Sequence, residues 1–279
     1  MSGPAASSDS TAAQFPRSPV ALVTGAGRGI GAATARRLHR LGWNLVLVDR
    51  CADDPLLAYP LSTRDELQSV AADCGGPQRC EPVLGDVRSQ ADLDNAVAVA
   101  IGRFGGLHAA VSVAGAIAGG AEGWNTSEDV WTAMLSVNLE GPWRLAKAAL
   151  PAIISNPEPR RGRFVAVAST AGTVGMPLLS AYSAAKHGLI GLVRSLAAEL
   201  APYGITANAV APGSTSGPML DASASIYGLA SPEEFVRHHM LARLIEADEP
   251  AALITWLCGT DSGALTGAVL AVDAGMTAK

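Results

Sequence analysis

The stretch that most constrains this chain runs from Val20 to Asp49. VALVT (Val20–Thr24) is a short apolar run of the kind found in strands buried on both faces. It leads directly into Gly25-Ala26-Gly27-Arg28-Gly29-Ile30-Gly31, after which AATARRLHRLG carries a helical period as far as Gly42. NLVLVD (Asn44–Asp49) is a second buried strand. Strand, glycine turn, helix and strand in this order form the unit expected of a dinucleotide-binding fold, and parallel strands follow from it. Glycine at 25 and 29 permits a tight turn with close backbone approach, and Gly31 lets the helix settle on the strand. The free N–H groups at the helix start suit a pyrophosphate.

Asp49 ends the second strand, eighteen positions beyond Gly31. A carboxylate there accepts both hydroxyls of an NAD ribose and repels the 2′-phosphate of NADP. The plainer reading is a strand-terminal aspartate capping a turn. Arg28 and Arg50 flank the site and argue for NADP, since guanidinium groups hold a 2′-phosphate. Asp49 is the stronger signal, because a buried like-charge contact costs more than a flexible surface arginine recovers.

Beyond Asp49 the alternation continues. Pro55 and Pro60 make Cys51–Leu61 a loop, and Ser62 or Thr63 caps a helix reaching about Cys74, with Glu66 placed for a capping box. Further strands are expected at EPVLGDV (Glu81–Val87), LHAAVSVAG (Leu107–Gly115), RFVAVAS, ITANAVAP and AVLAVDAG. Helices are expected over Ser89–Phe104, over Ser127 to about Ile154 with a bend or split at Pro142, over Ala181–Leu200 and over Pro250–Gly259. The Gly-, Pro- and Ser-rich stretch 213–245 reads as a mobile substrate-binding cover. The pattern predicts a single α/β domain over 19–279: a doubly wound, seven-stranded parallel sheet with helices on both faces. Residues 1–18, rich in Ser, Ala and Pro, read as a flexible tail without the apolar core of a signal peptide.

Composition excludes several classes. A net charge of -5 argues against nucleic acid, which needs a basic face. No run approaches the ~18 apolar residues of a membrane span. Cys51, Cys74, Cys80 and Cys258 form no C-x-x-C pair and no metal-ligand spacing with histidine, so reduced thiols in a cytoplasmic protein are expected, and no metal.

The chemistry is carried by Ser169–Lys186, STAGTVGMPLLSAYSAAK. Tyr182 and Lys186 stand one helical turn apart on one face. An ammonium beside a phenol favours the phenolate. Lowering a phenol from pH ~10 to about 7 takes roughly 4 kcal/mol of differential stabilisation. Ser169, at the end of a strand, is placed to hold a substrate oxygen while the tyrosine moves a proton. Alone, Tyr-x-x-x-Lys also describes a solvated helix face. His187 points about 100° away around the helix and reads as core or interface packing. His238-His239 reads as a surface or lid pair, and Trp124, Trp131 and Trp143 as packing between helices or subunits.

Taken together these motifs resemble the short-chain dehydrogenase/reductase family, a Rossmann-fold family, over Val20–Met276. The resemblance rests on Thr24-Gly25-x-x-x-Gly29-Ile30-Gly31, on Asp86-Val87 after the third strand, and on Asn138 in SVNLEG. It rests further on Ser169, Tyr182 and Lys186, the first two thirteen positions apart, and on Pro212-Gly213 followed by Thr215. It implies catalysis by Asn138, Ser169, Tyr182 and Lys186, with Lys186 also binding the nicotinamide ribose. It implies a cofactor, NAD, held by Gly25, Arg28, Gly29, Ile30, Asp49, Asp86, Val87, Ala114, Gly115, Tyr182, Lys186, Pro212, Gly213 and Thr215. One departure stands out: Ser112-Val113-Ala114-Gly115 replaces Asn-Asn-Ala-Gly, which leaves Ser112 less able to brace the sheet centre.

The separation of Asp49 from Asp86, 37 positions, is long for the family. With its insertion at 50–62 the chain is similar to the mycofactocin-coupled subgroup, in which such a loop covers the adenosine end and NAD is reoxidised in place by the redox peptide mycofactocin. The implied activity is interconversion of an alcohol and its ketone or aldehyde, in a homotetramer; Met176, Pro177, Leu178, Leu179, Met219, Leu220 and Tyr227 suggest an apolar pocket, and with it an apolar secondary or cyclic alcohol. The alternatives are an NADP-dependent carbonyl reductase of the same fold and a nucleotide-binding regulatory protein without chemistry. The complete set of Asn138, Ser169, Tyr182 and Lys186 argues against the last.

Overall fold

A computed structural model describes residues 18–278. The tail expected over 1–18 therefore lies, except for Ser18, outside the described residues. The strands are β1 (Val20–Thr24), β2 (Asn44–Asp49), β3 (Cys80–Leu84), β4 (Ala109–Ser112), β5 (Arg163–Val167), β6 (Thr206–Pro212) and β7 (Val269–Val272). They form one sheet in the order β3-β2-β1-β4-β5-β6-β7 with every neighbouring pair parallel. The chain winds outward from β1 to β3, then returns to place β4 on the other side of β1. That reversal opens a crevice at the carboxyl ends of β1 and β4, where this class of sheet binds ligands.

Helices cover both faces. On one side lie α1 (Gly29–Arg40), α2 (Arg64–Asp73) and α8 (Asp248–Cys258); on the other lie α3 (Gln90–Phe104), α5 (Gly141–Ile154) and α6 (Ser180–Leu200). The strands read as unbroken apolar runs because both faces are buried. Along β1, Val20 and Leu22 enter the α3/α5/α6 core, while Ala21 and Val23 enter the α1/α2/α8 core. Leu22, Leu38, Leu45 and Phe164 are fully enclosed, each side chain contributing about 1.5–3 kcal/mol by burial.

The capping box at α2 forms as expected, with Thr63 as N-cap and Glu66 returning the bond to the Thr63 N–H. The long helix expected from Ser127 is divided. α4 (Glu128–Leu135) passes through a π-turn at Ser136–Glu140 before α5 begins. Pro142 has no N–H to give the carbonyl of Asn138, four residues earlier, so the α-helical ladder cannot continue through this point. The stretch 213–245 contains α7 (Pro218–Ile226) and a 3₁₀ segment at Pro232–His238. Among the described residues no helix is long and apolar enough to cross a membrane.

Candidate active site

The crevice is a cleft of about 850 Å³ along the carboxyl ends of the strands, large enough for an extended ligand. Its first wall is the glycine turn. Gly25 has φ +66°, and a Cβ there would lie 2.7 Å from the Ala114 Cα. A Cβ on Gly31 would lie 2.0 Å from the Gly25 carbonyl oxygen, so only glycine lets α1 close on the turn. Gly29, at φ +56°, has nothing within 4 Å and faces the open cleft. Arg28 at the N-cap of α1 supplies no side-chain cap, and the first turn holds no acidic residue. The α1 N–H groups are therefore open to an anion, as a dinucleotide pyrophosphate requires. Ile30, Ala114, Gly115, Asp86 and Val87 complete this half of the lining.

Thr24 does the bracing that Ser112 was expected to do poorly. Its Oγ1 accepts hydrogen bonds from Val113 N (3.2 Å) and Ala114 N (3.3 Å), tying the end of β1 to the turn after β4. Ser112 itself is buried in the sheet.

Asp49 sits at the cleft edge. One carboxylate oxygen accepts from Gly27 N at 2.8 Å, and the other from the Ser62 hydroxyl and Cys51 N. A Cβ at Gly27 would come within 2.8 Å of the Ser62 Cβ, so the end of the insertion packs directly on the glycine turn. The insertion also reaches further than the adenosine end. Arg28 donates to the Pro60 carbonyl, and Ile117 N donates to the Tyr59 hydroxyl at 3.0 Å. Tyr59 is buried in a cluster with Ala116, Met134, Leu179 and Tyr182. The loop thus bridges the ends of β2 and β4 over the glycine turn. Leu57, Tyr59, Leu61, Ser62 and Arg88 all line the cleft, and none was singled out in the sequence as a ligand-facing residue. The unusual spacing between Asp49 and Asp86 was the only signal for the first four.

The second half of the cleft holds Ser169, Tyr182 and Lys186. β5 positions two of them. Ser169 follows the strand by two residues, and its Oγ caps the next turn by accepting from Ala171 N at 3.1 Å. The Lys186 ammonium, fully enclosed, donates to the Val167 carbonyl at 2.9 Å and stands 5.6 Å from the centre of the Tyr182 ring. Both side chains of the pair are buried, so the solvated-face reading of Tyr-x-x-x-Lys is wrong.

The expected depression of the Tyr182 pKa does not arise from the protein alone. Burial pushes the phenol up to about 12; a hydrogen bond with Ser169 pulls it down, and Tyr59 adds to the rise. Burial also lowers Lys186 to about 8. In the protein alone, desolvation dominates the shift of both groups.

Asn138 lies wholly buried behind the cleft wall. Its amide donates to the carbonyls of Ala116 and Met134, both at 3.0 Å, and accepts from Ala116 N at 3.2 Å. The side chain is fully engaged, whereas its main-chain carbonyl lacks a partner from Pro142. Pro212 at the end of β6 and Gly213 and Thr215 beyond it line the cleft, and Thr215 pairs with Ile245 in an isolated bridge. Over this end lie Met176, Met219 and Tyr227, and the Tyr227 hydroxyl donates to the Pro177 carbonyl at 2.9 Å, joining α7 to the segment before α6.

Other readings change. His187 is exposed on the single chain, so it does not pack in the core, and a ring nitrogen lies 2.9 Å from the Ser183 carbonyl. His239 is not a surface residue: it is buried, accepts from Ser214 N and contacts the Arg243 carbonyl. Trp124, Trp131 and Trp143 are exposed, so they do not pack between helices of one chain. The four cysteines are free thiols.

A family model described as enoyl-(acyl carrier protein) reductase matches residues 25–277. The chain is 34% identical over 273 residues to a (-)-trans-carveol dehydrogenase of Rhodococcus erythropolis, covering 93% of this chain and 98% of that protein. Among solved structures, a carveol dehydrogenase from Mycobacterium avium in complex with NAD matches with a TM-score of 0.85 and 30% identity, over 95% of this chain and 100% of that one. A short chain dehydrogenase from Mycobacterium paratuberculosis bound to NAD matches with a TM-score of 0.84 and 28% identity, over 94% and 98%.

Proposed function

The chain belongs to the short-chain dehydrogenase/reductase family, and we propose that it is an NAD-dependent oxidoreductase interconverting an alcohol and its ketone or aldehyde. One observation carries this reading: Ser169, Tyr182 and Lys186 meet in the same cleft as an uncapped, glycine-bounded helix start. Gly25, Arg28, Gly29 and Ile30 would hold the pyrophosphate, and Asp49 the adenosine ribose. Asp86 and Val87 would hold the adenine. Ala114, Gly115, Pro212, Gly213, Thr215 and Lys186 would hold the nicotinamide end. Bound there, NAD supplies a hydride acceptor.

The chain's own residues handle the proton and the orientation. Ser169 donates to the substrate oxygen. Tyr182 as phenolate takes the hydroxyl proton; the phenolate forms against the desolvation that raises this phenol in the protein alone, with the Lys186 ammonium 5.6 Å from the ring centre as the chain's own stabilising charge. Asn138 would hold a water that passes the proton outward. An apolar wall of Leu57, Met176, Leu179, Met219 and Tyr227 suits an apolar secondary or cyclic alcohol. Residues 213–245 act as the closing cover.

The insertion supports a finer reading. Its contacts to Arg28, Asp49 and Ile117 close it over the cleft. Such a cover slows release of NAD, which mycofactocin then reoxidises in place. The exposed Trp131 on α4 and Trp143 on α5 suit a homotetramer interface, and four free thiols suit a reducing cytoplasm.

The test is Tyr182→Phe assayed against a panel of alcohols with an artificial electron acceptor. Turnover is expected to vanish while NAD stays bound, and near-normal turnover overturns the assignment.

A further inference from the structure

Arg28, Arg50 and Arg88 all line the adenosine end of the cleft, around Asp49. Guanidinium groups pair with phosphate in bidentate fashion, so three of them beside a ribose describe a 2′-phosphate site. In this chain each has another partner. Arg50 Nη1 reaches Asp54 Oδ2 at 2.7 Å, and Arg88 Nη1 reaches the same oxygen at 3.0 Å. Arg88 also grips Asp86, with Nη2 at 2.6 Å, and the Arg50 Nε lies 3.4 Å from Asp86. Arg28 donates to the carbonyl of Pro60. Two of these partners, Asp54 and Pro60, belong to the insertion.

From this geometry we propose that Asp54 is a cofactor-specificity residue that holds Arg50 and Arg88 off the 2′ position of the ribose; the inference rests on the dinucleotide reading above. Asp54 is well suited to the task. Its side chain is 11% exposed, and its charge is shared between two arginines. Its Oδ1 accepts from Leu56 N at 3.1 Å, which sets the rotamer from within the loop before a ligand arrives. Two carboxylates, Asp54 and Asp86, balance two guanidiniums, Arg50 and Arg88, which leaves Asp49 beside the ribose and Arg28 turned to the neutral Pro60 carbonyl. Without Asp54, Arg50 keeps only its longer contact to Asp86, for which Arg88 competes. Arg50 directly follows Asp49 in the chain, and its released guanidinium is within the reach of a group bound there. Removal of Asp49 alone takes away a repulsion and supplies no cation; removal of both aspartate charges does both.

The experiment is calorimetric titration of NAD, NADP and adenosine 2′,5′-bisphosphate into full-length protein freed of copurified nucleotide. Wild type, Asp49→Ser, Asp54→Asn and the double variant are compared. Asn at 54 retains an oxygen for Leu56 N while losing the charge, and Asp54→Ser is the second variant should Asp54→Asn fold poorly. The double variant is expected to bind NADP about tenfold or more tighter than Asp49→Ser does, and adding Arg50→Gln is expected to cancel that gain. A double variant that binds NADP no better than Asp49→Ser overturns the proposal, and wild-type preference for NAD in the same titrations leaves the NAD reading standing. Wild type binding NADP as tightly as NAD overturns both.

Discussion

Replacing Lys186 with methionine tests whether the ammonium is truly desolvated. The side chain is fully enclosed, and burial lowers its pKa from 10.5 to about 8. Between those values the unfolded chain carries a proton that the folded one does not. Wild-type stability therefore gains from this group as pH rises from 8 towards 10.5. The whole shift corresponds to about 3 kcal/mol, of which about 2 to 3 kcal/mol falls between pH 7 and pH 10. Lys186→Met has similar length and no charge, so its stability lacks this contribution at every pH. Cys51, raised to about 11, is present in both proteins and cancels in the difference, while the neighbouring Tyr182, raised to about 12, is followed separately by its phenolate absorbance at pH 10. Urea unfolding of both proteins at pH 7 and pH 10 gives the difference directly. Wild type is expected to gain about 2 to 3 kcal/mol on the variant across that interval. A flat difference refutes the desolvated ammonium. A difference of opposite sign means that the ammonium is held charged, in an ion pair with the Tyr182 phenolate.

Gly31→Ala puts a Cβ 2.0 Å from the Gly25 carbonyl, which costs about 1–3 kcal/mol or more of overpacking. A loss of NAD binding in calorimetry is expected along with a lower Tm, and unchanged affinity argues against the glycine turn as the pyrophosphate seat. Tyr59→Phe removes the acceptor for the buried Ile117 N–H, at about 1–3 kcal/mol. Faster exchange of labelled NAD is expected, and exchange at the wild-type rate removes Tyr59 from the cover.

Much of this protein was legible as pattern. Buried parallel strands announce themselves as apolar runs such as NLVLVD, and the turn from Gly25 to Gly31 marks where the first helix starts, because each feature depends on residues close in sequence. The capping box at Thr63 and Glu66 was readable for the same reason. Ser169, Tyr182 and Lys186 were legible as types and spacing. Their environment was not. Whether a phenol and an ammonium sit in water or in a closed pocket depends on what β5, α6 and the distant Tyr59 bring over them, and that reversed the expected direction of the Tyr182 pKa. The division of the long helix illustrates both sides: Pro142 marked the break, but only the structure located the π-turn around Asn138 and the engagement of its amide with Ala116 and Met134. The insertion was visible only as excess length. Its register against the cleft, with Tyr59 on Ile117, Pro60 on Arg28 and Asp54 between two arginines, comes from contacts across tens of residues. Local periodicity determines elements and turns; long-range packing decides solvation, charge partners and which guanidinium is free to meet a ligand.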